Sequence, residues 1–183
     1  MKSVTTFVLG TAVLVAFAAP AMAQARPAPA AAKTPTTPTA SSDSADFGIG
    51  YSFAHIAQAN AAAGVDAFYA KDFRSMSSGS LGFVADVSVN HASGGTAEFA
   101  TGGVRIGFKG SSKAKFYAQV TGGLAHFPAS SQFALDFGGG VKLPMEGKKF
   151  GLFAQVDVPM VFFSGNTQTG FRLNVGLDIP VGK

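Results

Sequence analysis

An all-β chain closing into an eight-stranded antiparallel up-and-down transmembrane β-barrel is predicted by three observations. Residues 171–179, FRLNVGLDI, alternate strictly, with Phe, Leu, Val, Leu and Ile at odd positions and Arg, Asn, Gly and Asp between them, the period-two signature of a strand with two unlike faces. Eight such runs occur, most of them 9 to 14 residues long, whereas globular strands cluster at about 5 to 6 residues and a tilted membrane-crossing strand needs about 9 to 11. Only 13% of the chain is charged while 47% is hydrophobic, against roughly 25% charged in soluble domains.

From the amino end, the first element is a leader. Residues 1–23 carry Lys2, an apolar stretch over 7–19 and an Ala-Met-Ala ending at Ala23, which reads as a cleavable secretory signal peptide. Thr11 and Pro20 bracket too short a stretch for a single anchor helix, which needs about 20 apolar residues. Residues 24–45 are rich in Ala, Thr and Ser, with Pro27, Pro29, Pro35 and Pro38, and are expected to form an extended tether without a core. The absence of cysteine excludes disulfides, thiolate metal sites and a lipidated cysteine. The 14 Lys and Arg against 10 Asp and Glu are spread out, unlike a nucleic-acid footprint.

The strands follow within residues 46–183, over 46–56, 65–73, 81–91, 98–108, 115–126, 132–142, 150–162 and 169–181. One parity is apolar: Phe47, Ile49, Tyr51 and Phe53; Phe83, Val87 and Val89; Val104 and Ile106; Phe116, Val120 and Leu124; Phe133 and Phe137; Leu152, Val156 and Val158. The other is small or polar: Gly48, Gly50 and Ser52; Asp86, Ser88 and Asn90; Thr101, Gly103 and Arg105; Gln119, Thr121 and Gly123; Asp136 and Gly138; Gln155 and Asp157; Arg172, Asn174 and Asp178. A soluble lipocalin-like barrel, with its apolar face inward around a hydrophobic ligand, alternates too. The polar set decides between them. It lacks the dense Lys and Glu of a water-facing surface and suits the narrow interior of eight strands, which side chains fill, leaving the apolar set to face lipid.

The connections are asymmetric. Segments 74–80, 109–114 and 143–149 carry Arg74, Lys109, Lys113, Glu146, Lys148 and Lys149, whereas 57–64, 92–97, 127–131 and 163–168 carry no charge. An even strand number with a periplasmic amino terminus places the charged turns in the periplasm.

On the stretches DFGIGYSF, GGVRIGF, AQVTGGLAHF, FALDFGGGVKL and FRLNVGLDI, in this order and spacing, the chain resembles the small outer-membrane β-barrels of the OmpA/OmpX type. The resemblance implies an outer-membrane location, contact with outer-membrane lipid and lipopolysaccharide, and assembly by the barrel-insertion machinery; the size predicts a monomer. The chain departs from the family in ending DIPVGK rather than on an aromatic, and in having no Trp and three Tyr. Pro159, which cannot donate a ladder hydrogen bond, predicts a bulge in the seventh strand.

Folding each hairpin about its loop predicts a lumen charge network of Asp86, Arg105, Asp136, Asp157, Arg172 and Asp178. Asp86 is expected diagonal to Arg105, Asp157 near Arg172 and Asn174, and Asp136 opposite Asp157, a repulsive pair unless Arg172 lies between them or one is protonated. Such a network is expected to plug the barrel. His55, His91 and His126 fall near the outer ends of alternate strands, about 10 Å apart on a convex wall, too far for Zn–N bonds of about 2.1 Å. No metal, cofactor or catalytic site is predicted. Some outer-membrane barrels that deacylate lipid A use a His and a nearby Ser at the outer rim, but they carry the Ser two residues after the His, and position 128 here is Pro. Ser130 and Ser131 in the following FPASS miss that spacing, so a lipid-A-modifying enzyme is the least favoured reading.

Overall fold

The computed structural model describes residues 44–56, 61–109 and 113–181. The leader and all but the last two residues of the tether lie outside this range. Eight strands run as β1 (Ala45–Ile56), β2 (Ala62–Met76), β3 (Gly79–Ala92), β4 (Gly95–Phe108), β5 (Lys115–Phe127), β6 (Ser130–Pro144), β7 (Gly151–Phe163) and β8 (Asn166–Val181). Each pairs antiparallel with its chain neighbour, and β1 pairs with β8 to close the barrel. Closure leaves no edge strand and satisfies the backbone within the sheet.

The strands are 12 to 16 residues long, longer than alternation alone delimits them. Two-residue turns are the reason: Ser77–Ser78, Ser93–Gly94, Pro128–Ala129 and Ser164–Gly165 connect strands that carry their pairing into residues assigned to loops by composition. Gly165 takes a φ of 82°, a left-handed conformation that favours glycine in tight hairpin turns.

The outward face is apolar on every strand. Ile49, Phe83, Val104, Val120, Phe137, Val156 and Leu177 are exposed, and Tyr51 is 80% exposed. The opposite parity is buried: Ser52, Asp66, Asp86, Thr101, Gln119, Asp136, Gln155 and Arg172 all face inward. A lipocalin-like arrangement would reverse these faces, and the chain does not adopt it. Alternation with an apolar exterior and a polar, side-chain-filled interior is the pattern of a transmembrane barrel.

The interior also contains two apolar clusters. Phe99, Ala125, Ala134 and Val161 pack near the end carrying the uncharged turns, with Phe127 and Phe163 against them. Phe68, Ala70, Val84 and Phe153 form the second, and the Phe68 and Phe153 rings meet edge-on with centroids 5.0 Å apart.

Pro159 does not produce a bulge. On both sides of it β7 and β8 keep one register, Asp157 opposite Arg172 and Met160 opposite Thr169, while the pairs between them are missing from the ladder. The missing donor is absorbed as a local gap in the hydrogen bonding, and the ladder toward β6 continues through Pro159 opposite Asp136. The register shift lies instead in β2, between Asp72 and Arg74, where Phe73 is the additional residue.

Candidate functional site

The centre of the lumen is organised by Arg172, which β8 points inward and which is fully buried. Its Nη2 reaches Asp86 on β3 at 3.0 Å, Asp157 on β7 at 3.2 Å and Asp136 on β6 at 3.4 Å. Its Nε donates to Asp157 at 3.3 Å and its Nη1 to Ser88 Oγ at 2.7 Å. One planar fork therefore links four strands across the barrel. Asp157 further accepts from Asn174 Nδ2 at 3.2 Å and Gln155 Nε2 at 2.9 Å.

Four of the six residues expected in one network, Asp86, Asp136, Asp157 and Arg172, thus meet. Two do not. Asp86 lies opposite Thr101, and Arg105 opposite Gly82, so the expected diagonal contact is not formed. Arg105 instead donates from Nε and Nη2 to Gln119 Oε1 at 3.0 and 2.6 Å. Its guanidinium lies 4.5 Å from the Phe68 ring and 4.2 Å from the Tyr117 ring, where ring faces stabilise the cation. Asp178 joins a separate group in which Lys142 Nζ lies 3.0 Å from Asp178 and 2.6 Å from Asp46. Asp136 opposes Pro159 rather than Asp157, which opposes Gly138. Arg172 lies between the two carboxylates, the condition under which they can coexist.

Some members of these groups were not expected in them from the sequence. Asn174 stands beside Asp157 as expected, whereas Ser88 was placed on the inward parity without a part in the network. Lys142, Tyr117 and Phe68 enter only because inward side chains of non-adjacent strands meet across a narrow barrel. At the end bearing the charged loops, a cavity of about 560 Å³ is lined by Asp46, Arg105, Tyr117, Lys142, Lys148 and Asp178 among others.

The exterior holds a second polar group. His55, His91 and His126 are exposed on β1, β3 and β5. His91 Nδ1 lies 3.1 Å from Thr96 Oγ1, and His126 Nδ1 lies 2.8 Å from Ser131 Oγ. Ser131 is the cross-strand partner of His126 on β6, and Glu98 on β4 is its partner on the other side. Spacing along one strand did not disclose this contact, because the tight Pro128–Ala129 turn brings Ser131 back beside His126.

No family model and no curated protein matches the chain. Among solved structures it is similar to Neisserial surface protein A, at 15% identity and a TM-score of 0.53 over 77% of this chain and 98% of that one. It is also similar to the Yersinia pestis outer membrane protein Ail, at 11% identity and a TM-score of 0.49 over 76% and 100% of the two chains. The outer membrane enzyme PagL gives 14% identity and a TM-score of 0.48 over 74% and 99%. At these identities the likeness concerns the fold, that of small eight-stranded outer-membrane barrels.

Proposed function

We propose that the protein is a small outer-membrane barrel with a structural or interaction role, its lumen closed by side chains. The observation that carries this reading is the Arg172 fork on Asp86, Asp136 and Asp157. Charged groups held in mutual ion pairs across an eight-stranded lumen leave little room for a solute path, and the aromatic group of Phe99, Phe127 and Phe163 stands above them. The amino terminus and the charged loops face the periplasm, the uncharged turns face outward, and the apolar exterior meets outer-membrane lipid and lipopolysaccharide. Synthesis as a secreted precursor, insertion by the barrel-assembly machinery and a monomeric state complete the reading.

Recording from planar bilayers containing the refolded mature chain tests it. The expected trace is flat, and truncation of Arg172 together with Phe99 is expected to open measurable conductance. Steady, large conductance from the unaltered protein would refute closure of the lumen.

A further inference from the structure

The end of the lumen that bears the charged loops carries its charges on two opposed walls. Asp46 on β1 and Asp178 on β8 stand on neighbouring strands, and Lys142, reaching across from β6, lies 2.6 and 3.0 Å from them. Asp72 on β2 accepts from Ser44 Oγ at 3.2 Å. β4 and β5 lie on the far side of the ring from β1 and β8, and there the charges are of one sign. Arg105 on β4, Lys109 just past its end and Lys115 at the start of β5 all line the cavity. The β4–β5 ladder ends with Phe108 opposite Phe116, so Lys109 and Lys115 flank its last pair.

Three observations mark this basic wall as lacking a partner. Lys115 stands directly opposite Lys142 on β6, and like charges in that position are destabilising. Lys142 has two carboxylates to offset the repulsion, whereas no carboxylate among the described residues pairs with Lys109, Lys115 or Arg105. Arg105 is 4% exposed. Its Nε and Nη2 are taken by Gln119, but its Nη1 has no hydrogen-bond partner, an unusual state for a buried charged group. Arg172, by contrast, has three carboxylates around it. Space for a partner is present beside this wall, because the cavity of about 560 Å³ falls within the range of about 300 to 1,000 Å³ usual for small-molecule sites.

The charge count selects the ligand. Among the described residues, five cations (Arg105, Lys109, Lys115, Lys142 and Lys148) and three carboxylates (Asp46, Asp72 and Asp178) line the cavity, an excess of two positive charges. A carboxylate would supply one negative charge and two oxygens. A phosphate monoester supplies two charges on oxygens that can be approached from several sides at once. We infer that Arg105, Lys109 and Lys115 form a binding site for a phosphate group carrying two negative charges, either on a soluble phosphomonoester or at the head of a lipid. Lys109 and Lys115 close on it as mobile point charges, and Arg105 presents a fixed guanidinium from the inner end. Lys142 shields the anion from Asp46 and Asp178 on the opposite wall.

The site needs only the folded barrel: a conducting lumen would leave it standing, and a failed titration would leave closure of the lumen standing. The full mature chain, refolded in a non-ionic sugar detergent free of phosphate, is titrated by calorimetry at low salt with inorganic phosphate and, separately, with a short-chain phosphatidic acid. A Kd below about 1 mM is expected for at least one of them. Saturation by inorganic phosphate identifies a soluble source, and binding of phosphatidic acid alone identifies a lipid. Lys109→Ala and Lys115→Ala are each expected to weaken binding at least about 10-fold, whereas Lys149→Ala, the same change of charge outside the cavity lining, is expected to retain it. Lys115→Met is expected to raise the urea midpoint of the ligand-free barrel by removing the repulsion from Lys142, and to blunt the further rise that phosphate gives. Heat-modifiable gel mobility reports the folding of each variant. A folded barrel that binds neither probe, that binds acetate as tightly as phosphate, or that loses as much affinity with Lys149→Ala as with Lys115→Ala would overturn the assignment.

Discussion

Replacing Arg172 with Met isolates what the central fork contributes. The substitution keeps much of the side-chain volume and removes the hydrogen bonds to Asp157, Asp86, Asp136 and Ser88, at 2.7 to 3.4 Å. The three carboxylates are at most 1% exposed and would be left facing one another without their shared cation. Breaking a buried pair from one side costs about 3 to 5 kcal/mol, and three acceptors on one donor put this case at the upper end. With a urea dependence of about 2 kcal/mol per molar, the unfolding midpoint is expected to fall by about 2 M, read in phospholipid vesicles by circular dichroism and by gel mobility of unboiled samples. Adding Asp86→Asn, Asp136→Asn and Asp157→Asn to the Met variant removes the stranded charges and is expected to restore much of the loss. A fall below about 0.5 M for Arg172→Met alone would mean that the fork is not what holds the lumen together.

Three further outcomes are expected. Val120→Arg, placing a charge on the outward face near the middle of β5, should cost about 2 to 4 kcal/mol in the same urea assay. Gly176→Val should lower the refolding yield and destabilise the barrel by about 1 to 3 kcal/mol: Gly176 faces Gly50 across the closing seam of β1 and β8, and a Cβ there would run into the backbone of Ile49 and Gly50. The mature chain should gain β-structure and a heat-modifiable gel band with detergent micelles and not in plain buffer, because its apolar face points outward.

Strand number, parity and face assignment were legible because each depends on local alternation. The period of two survives errors of several residues at strand ends, and the composition of the polar set favoured an apolar exterior over the reversed, lipocalin-like barrel before any pairing was known. Pairings were less legible because a hairpin's register turns on the centre of its loop. Composition put the third connection at 92–97, whereas the chain turns on Ser93 and Gly94; that difference moves Asp86 to Thr101 and away from Arg105. Pro159 was misread for a related reason. A missing donor demands either an additional residue or a local gap, and the sequence does not say which the neighbouring strand tolerates.

The two constellations with the most chemistry show where sequence reading stops. Arg172 and Asp86 are 86 positions apart and on non-adjacent strands; only closure of the barrel aims them at one another. Parity could say that both point inward, and counting could say that inward carboxylates outnumber nearby cations, but the choice of Arg172 over Arg105 as their partner is made by height along the lumen. Arg105 sits among Phe68, Tyr117 and Gln119 toward the charged end, a layer away from Asp86. On the exterior the same geometry works at shorter range. Glu98, His126 and Ser131 span two hairpin connections, and each turn of two more or two fewer residues would break the row. The short Pro128–Ala129 turn is therefore also what brings the imidazole and the hydroxyl of this row together, so lengthening it by one residue should separate His126 from Ser131 while leaving the Arg172 layer in place.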